Sequence, residues 1–188
     1  EIAQCLVGSE MCIRDRTSPS SSVSGNELLG TATNALVSLN GVYRAMYTAG
    51  VSNSSNTHQC FGITAYNLVA DVMGEDCIMN GQGSGWFWYD CVYNVKSRYT
   101  STGWRSYDMW NGYYTWISNV NYILAEEETM SGSETEKNYV LGQAYAVRAY
   151  SYFMLAQMFS RTYKGHESEP CVPPVSYTHL TLPTILRV

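Results

Sequence analysis

Hydrophobic residues recur at helical spacing in four segments of this chain, and glycine-rich or small polar stretches separate the segments. A period near 3.6 residues places such positions on one face of an α-helix, which then packs against a core. The first segment begins at Thr33, with Thr33 or Asn34 as the expected N-cap and Gly50 just after its end. Its expected core-facing residues are Leu36, Leu39, Val42, Tyr43, Met46 and Tyr47.

The second segment follows the polar stretch 51–56 and ends near Gly74, a residue type that often terminates helices. Its expected core-facing residues are Phe61, Ala65, Leu68, Val69 and Val72. The third segment spans residues 105–128 and is rich in aromatic residues. Its expected core-facing residues are Met109, Trp110, Tyr113, Trp116 or Ile117, Val120 and Leu124.

The fourth segment is the longest and runs from the region of Ser133 to about Phe159. A serine followed by acidic residues, here Glu134 and Glu136, is typical of a helix N-terminus. The paired prolines at 173 and 174 prevent any continuation of the helix. The expected core-facing residues are Val140, Ala144, Val147, Tyr150 or Ser151, Met154 and Met158.

Four helices without a convincing strand pattern predict an all-α fold built from antiparallel helical hairpins. The alternation of small and aromatic residues in the fourth helix is typical of tetratricopeptide-like stacking. No clean repeat of ~34 residues is present, so the sequence does not define a regular array.

Residues 74–103 differ from the rest because they carry five glycines and have no sustained hydrophobic period. A loop of this length is uncommon inside a compact domain and is usually functional. Sugars stack their apolar C–H faces on aromatic rings while polar neighbours bind the hydroxyl groups. The expected ligand-binding residues are Trp86, Trp88, Tyr89 and Trp104. The alternative is that these rings plug the loop into the helical core.

The two ends of the chain are related to each other through DNA. Residues 11–15, MCIRD, can be encoded by ATG TGT ATA AGA GAC, whose reverse complement translates as VSYTH, residues 175–179. Both ends also resemble translated transposase adapters from sequencing libraries. We therefore expect residues 1–16 and 175–188 to be adapter-derived. Residues 17–174 are then an internal piece of a longer protein.

Composition excludes several classes of partner and chemistry. The net charge is −5 and no Lys/Arg cluster is present, which argues against nucleic acid and anionic membrane surfaces as partners. No apolar run approaches the ~20 residues of a membrane-spanning helix. Cys60, Cys77, Cys91 and Cys171 are widely spaced, and neither His58 nor His166 lies at ligand spacing, so we expect no metal and no cofactor. The spacing assigns no disulfide.

Catalytic residues are not expected either. Glu75 with Asp76, and the acidic run 126–128, lie at a loop start and a helix end, where carboxylates are usually solvated. Arg148 lies mid-helix in an apolar stretch, and we interpret it as a structural hydrogen-bonding group. Two other functions remain open. A tetratricopeptide-type module would bind peptide, and an all-α glycoside hydrolase would need two carboxylates roughly 5–10 Å apart beside the aromatic loop.

Residues 142–159 resemble a helix of the SusD/RagB family that is usually written G-E-A-x-x-L-R-A-x-x-Y-F-x-L-x-x-x-F. Gln143 replaces the usual Glu and Val147 the usual Leu. Residues 110–124 are similar to the family's W-x-x-x-Y-x-x-I-x-x-x-N-x-x-L helix, residues 35–47 to its first helix, and residues 170–174 to a GVP stretch. The matching residues of the longest helix are Gly142, Ala144, Arg148, Ala149, Tyr152, Phe153, Leu155 and Phe159.

The resemblance implies an all-α fold with tetratricopeptide-like helix pairs. It also implies a lipid-anchored, surface-exposed protein of the outer membrane in Bacteroidota, with its lipidated cysteine upstream of Thr17. Members bind glycans or other nutrients, cover a TonB-dependent, SusC-like transporter, and are not enzymes. This chain would contain the N-terminal part of such a protein.

Overall fold

The computed structural model describes residues 29–49, 57–93 and 103–175. These residues form α-helices and no β-strand, so the predicted all-α class is confirmed for the described part of the chain. The Ser-rich stretch after Thr17 and nearly all of both expected adapter-derived ends lie outside it. Each helix within these ranges is either too short or too polar to span a lipid bilayer. The helices are α1 (Ala32–Ala45), α2 (Ile63–Met73), α3 (Trp88–Cys91), α4 (Trp104–Ala125) and α5 (Glu134–Phe159).

The two long helices α4 and α5 form an antiparallel hairpin, as three contacts along its length show. Near the connecting turn, the Tyr145 hydroxyl donates to Glu127 Oε2 at 2.7 Å. In the middle, Arg148 Nη1 donates to Asn121 Oδ1 at 3.2 Å, which is the structural role expected for this arginine. At the far end, the rings of Trp110 and Phe159 meet edge to face with centroids 5.0 Å apart. The predicted hairpin is therefore present, whereas tetratricopeptide-like stacking stays a prediction.

Most of the predicted core-facing residues of α4 and α5 are buried, with one shift near the end of α5. Leu155 is fully buried, whereas Met154 and Met158, which were expected to face the core, are only partly buried. The chain after α5 returns along the hairpin, where the Tyr114 hydroxyl donates to Pro173 O at 2.8 Å. On α5 the same segment is bound by the Tyr152 hydroxyl, which accepts from Val175 N. Leu155 lies three positions after Tyr152 and so shares its side of the helix, which places Leu155 toward this segment.

Helix α1 packs against both α4 and α5, and its start differs from the prediction. The N-cap is Thr31, whose hydroxyl accepts from Asn34 N at 3.1 Å, so the caps expected at Thr33 or Asn34 are wrong. The start of α1 is determined by a contact with a segment that is distant in the chain. Ala32 N donates to Ser131 O at 2.8 Å, which holds Thr31 in an extended conformation up to the first helical residue.

Helix α2 begins at a close backbone contact with the end of α1. Ile63 N donates to Met46 O at 2.8 Å, and Gly62 lies in the left-handed region with φ 69°. A Cβ at Gly62 would lie 2.0 Å from Met46 O, so only glycine fits. The helix ends before Gly74 as predicted, and the Tyr66 hydroxyl ties it to α4 by donating to Asp108 O at 3.0 Å.

The backbone of Val175 is bound to the hairpin, although this residue opens the second expected adapter-derived end. Asn121 Nδ2 donates to Val175 O at 2.8 Å, and Val175 N donates to the Tyr152 hydroxyl at 2.6 Å. Both hydrogen bonds use main-chain atoms, which every residue type except proline offers in full at this position. The assignment of residues 175–188 to adapter sequence therefore stays a prediction.

Candidate ligand-binding surface

The aromatic loop of residues 81–93 and 103–104 is attached to the helices by two inward-facing residues of one short turn. Phe87, which immediately precedes α3, is 5% exposed, and Asp90, which lies inside α3, is 1% exposed. Phe87 adopts a left-handed conformation with φ 55°, which directs its ring inward, where it meets Phe61 edge to face at 6.2 Å. Phe87 N donates to Gln59 Oε1 at 3.1 Å. The loop is therefore held by side chains and not only by its ends.

Arg105, in the first turn of α4, joins the loop to the segment that precedes α2. Its side chain is buried and forms an ion pair with Asp90, with Nη2 at 3.1 Å from Oδ2. Its Nη1 donates to Gln59 O at 2.8 Å. The guanidinium carbon lies 5.2 Å from the Phe87 ring centroid. One guanidinium thus connects residues 59, 87 and 90, and we call this arrangement the Arg105 clamp.

Three of the four predicted ligand-binding residues lie together on or beside α3. Trp86 is 50% exposed, Tyr89 is 45% exposed, and Trp88 is half-buried. Phe87 and Asp90 lie three positions apart and share the inward side of this turn, whereas Trp86 and Tyr89 lie on its exposed side. It is therefore Phe87 that anchors the loop in the core. The role of the exposed rings in binding stays a prediction.

The fourth predicted residue, Trp104, is the first residue of α4 and is half-buried. The guanidinium carbon of Arg105 lies 4.2 Å from its ring centroid. The same guanidinium also lies against the Phe87 ring. Arg105 therefore lies between Trp104 and Phe87 and links the two rings. Residues 94–102, which connect α3 to Trp104, lie outside the described residues.

Trp86 has an aromatic neighbour that the sequence did not single out as a site residue. The rings of Trp86 and His58 lie 5.5 Å apart, centroid to centroid, with an interplanar angle of 44°. His58 is exposed, and its Nε2 lies 2.9 Å from Gln59 Nε2. Residues 58 and 59 therefore contribute to the surface formed by the aromatic loop.

Gln59, Asp90 and Arg105 hold this surface in place, and sequence reasoning assigned them no such role. One signal was available. The positive end of a helix dipole disfavours a cation in the first turn, so an arginine at that position of α4 indicates a carboxylate partner. Nothing in the spacing identifies that partner as Asp90, because the intervening loop has no periodicity.

Cys60 follows Gln59 in the chain, and its thiol is buried. Burial raises the pKa of the Cys60 thiol to about 12, and neighbouring Asp108 contributes to the rise, so the thiol stays protonated at neutral pH. Cys60, Cys77, Cys91 and Cys171 are free thiols. Among the described residues, no group of three His, Cys, Asp or Glu side chains could hold a metal ion.

A concave feature lies between the first turns of α1 and α5. It is an open groove of about 240 Å³, and none of its lining residues belongs to the aromatic loop. The groove is lined by Ala32, Thr33, Leu36, Thr135, Glu136, Tyr139 and Val140.

The acidic residues that the sequence offers for catalysis lie at the surface. Glu75, Asp76, Glu127 and Glu128 are exposed, whereas Glu126 is half-buried and its Oε2 accepts from Thr129 Oγ1 at 2.5 Å.

Comparison with known proteins identifies the family. No curated protein and no solved structure gives a significant match to the chain. A SusD-like family model, described as starch-binding and associating with the outer membrane, matches residues 79–185, more than half of the 188 residues. The match covers α3, α4 and α5 with the aromatic loop, and it leaves out α1 and α2. The chain therefore belongs to the SusD-like family.

Proposed function

We infer that this protein is the surface glycan-binding component of an outer-membrane uptake system and that it performs no catalysis. The observation that carries the proposal is the pair of outward-facing rings, Trp86 and Tyr89, held by a buried clamp on the opposite side of the same turn. A sugar ring can stack on such rings with little loss of side-chain freedom, because the turn is already fixed. The family description, starch-binding and associating with the outer membrane, favours a glycan over a peptide as the ligand.

The same proposal includes a transporter and an anchor. The resemblance of residues 142–159 to the SusD/RagB helix implies a TonB-dependent, SusC-like transporter as the partner. It also implies a lipidated cysteine upstream of Thr17 and exposure at the cell surface. Solubilised outer membranes from the source cells, probed with an antibody to this protein, should yield the transporter in the same complex. Recovery of the protein without any transporter would contradict this part.

The test of glycan binding uses the complete protein and a panel of immobilised polysaccharides that includes starch. We expect Trp86→Ala, Trp88→Ala and Trp104→Ala each to weaken binding to the retained polysaccharide. A ring stacked on a sugar should contribute about 0.5–1.5 kcal/mol, which corresponds to roughly a three- to tenfold change in Kd. Tyr163→Ala is the matched control, since Tyr163 is an exposed aromatic residue outside the loop.

Thermal unfolding of the same variants separates binding from packing. A core ring would cost roughly 3–5 kcal/mol of stability on truncation to alanine. If all three tryptophan variants lose stability steeply, or if all keep the affinity of the parent protein, the rings are packing residues and the proposal is wrong. Release of reducing sugar from the bound polysaccharide would contradict the non-catalytic role.

A further inference from the structure

Gln59 has a defined amide orientation because its oxygen has two donors on the loop side. Its Oε1 accepts from Phe87 N at 3.1 Å and lies 3.4 Å from Arg105 Nη2. Neither a backbone N–H nor a guanidinium can accept a hydrogen bond, so the amide oxygen and not the amide nitrogen must face them. The Gln59 amide nitrogen consequently points the other way, toward His58.

This orientation determines which nitrogen of His58 carries the proton. Gln59 Nε2 lies 2.9 Å from His58 Nε2, and an amide nitrogen only donates. His58 Nε2 must therefore accept. In the neutral imidazole the proton is then on Nδ1, which makes Nδ1–H a hydrogen-bond donor. No partner for Nδ1 is present among residues 29–49, 57–93 and 103–175.

His58 thus combines a fixed tautomer with a fixed place beside an exposed indole. Its ring centroid lies 5.5 Å from that of Trp86, and both residues are exposed. A pyranose presents an apolar face with hydroxyl groups around its rim. When this face stacks on the Trp86 indole, the rim brings hydroxyl oxygens near the Nδ1–H of the neighbouring His58. The chain of contacts runs from the buried Arg105 through Gln59 to His58.

We propose that His58 is a specificity-determining residue of the glycan-binding surface, donating from Nδ1 to a hydroxyl oxygen of the sugar that stacks on Trp86. This inference rests on the proposed function. It goes beyond an aromatic platform, because a stacked ring accepts many sugars, whereas a placed donor distinguishes a sugar with the hydroxyl from one without it.

The experiment compares His58→Phe with His58→Ala in the complete protein, using a polysaccharide retained in the immobilised panel. His58→Phe keeps a ring against Trp86 but has no donor, whereas His58→Ala removes both. We expect the two variants to lose affinity equally, by roughly three- to tenfold, since a hydrogen bond contributes about 1 kcal/mol. Melting temperatures should stay near that of the parent protein because His58 is exposed. His166→Ala, on a different loop, should bind like the parent.

The nitrogen chemical shifts of the His58 imidazole give an independent readout of the tautomer. We expect the Nδ1–H form in the neutral side chain, and the Nε2–H form would overturn the inference. Parent-like affinity of His58→Phe would also overturn it, while a loss of affinity in Trp86→Ala would leave the proposed function standing. Parent-like affinity of Trp86→Ala alone would overturn the inference, because the sugar would then not stack on Trp86. If no polysaccharide is retained, or if the three tryptophan variants all bind like the parent, the proposed function fails together with the inference.

Discussion

Arg105 and Asp90 form a buried ion pair, with Nη2 and Oδ2 3.1 Å apart and side chains 6% and 1% exposed. Asp90 belongs to the aromatic loop and Arg105 to the first turn of α4, fifteen positions further along the chain. The guanidinium also donates to Gln59 O, so it is hydrogen-bonded to a second segment. Burial makes this pair a structural requirement, because either charge would otherwise be buried without its counter-ion.

We expect Arg105→Ala to destabilise the protein by roughly 3–5 kcal/mol, since it leaves the Asp90 carboxylate buried without its cation. Chemical denaturation of the complete protein measures this change. Arg161→Ala is the matched control. It removes an ion pair with Glu169 whose side chains are 70% and 44% exposed, and exposed pairs contribute only ~0–1 kcal/mol. Equal effects of the two substitutions would contradict a buried role for Arg105.

Phe87 and Trp86 are adjacent, but truncation to alanine should destabilise the protein to very different extents at the two positions. Phe87→Ala should cost about 3–5 kcal/mol of stability because the ring is buried, whereas Trp86→Ala should cost far less. Phe87→Gly adds a further test. Because Phe87 has φ 55°, glycine should relieve strain of about 1 kcal/mol and be less destabilising than alanine. Urea denaturation of the three variants measures the order, and a more stable Phe87→Ala would exclude the strained turn.

Two glycines in the first half of the chain should give opposite results when replaced by alanine. Gly62→Ala should destabilise by at least about 2 kcal/mol, because its φ is 69° and a Cβ would collide with Met46 O. Gly41 lies inside α1 with open space where a methyl group would project, so Gly41→Ala should stabilise by roughly 0.5–1 kcal/mol. Melting temperatures of the two variants give the comparison. A tolerated Gly62→Ala would mean that α1 and α2 do not meet at this contact.

The capping box at the start of α5 makes a pH-dependent contribution to stability. Hydrogen bonds from the Ser133 side chain and backbone hold the pKa of Glu136 below its usual value of 4.5. A carboxyl whose pKa is lower in the folded state contributes stability above about 4.5, and this contribution is lost as the pH falls through the folded pKa. The stability difference between the parent protein and Glu136→Gln should therefore be constant near neutral pH and vanish in acid.

Denaturation curves from about pH 7 down to about pH 3 would follow that difference. A difference that persists or grows in acid would show that the Glu136 charge is not the cause. Ser133→Ala serves as the companion variant. It removes the hydroxyl that accepts from Glu136 N at 3.3 Å and should cost about 1 kcal/mol at neutral pH.

The adapter assignment of the two ends makes a prediction at the level of DNA. Amplification of the locus from source DNA, with primers inside residues 17–174, should recover flanking sequence that encodes neither end. The reason is that the codons for residues 11–15 and 175–179 can be reverse complements of each other, a relation that neither folding nor function requires. Recovery of either end attached to the gene would contradict the assignment.

The four longer helices and the hairpin of α4 and α5 follow from the amino-acid sequence, whereas the short helix α3 lies in a stretch that the sequence marked only as a loop. Helical periodicity depends on residues a few positions apart in the chain, and so does the N-terminus of α5 predicted at Ser133, where the structure forms a capping box with Glu136. Gly74 ends α2 for the same local reason. The sequence also marked the aromatic loop, because its glycines and lack of period are local properties.

Contacts between distant segments determine which face of that loop is anchored in the core and which is exposed. Trp86, Phe87 and Trp88 are alike in the sequence, yet it is Phe87 whose backbone turns left-handed and whose N–H meets Gln59. The cap of α1 was likewise displaced to Thr31 by a hydrogen bond between Ala32 and Ser131, which lie far apart in the chain. Such contacts depend on which segments meet in space, and hydrophobic spacing carries no information about the partner of a buried charge such as Arg105.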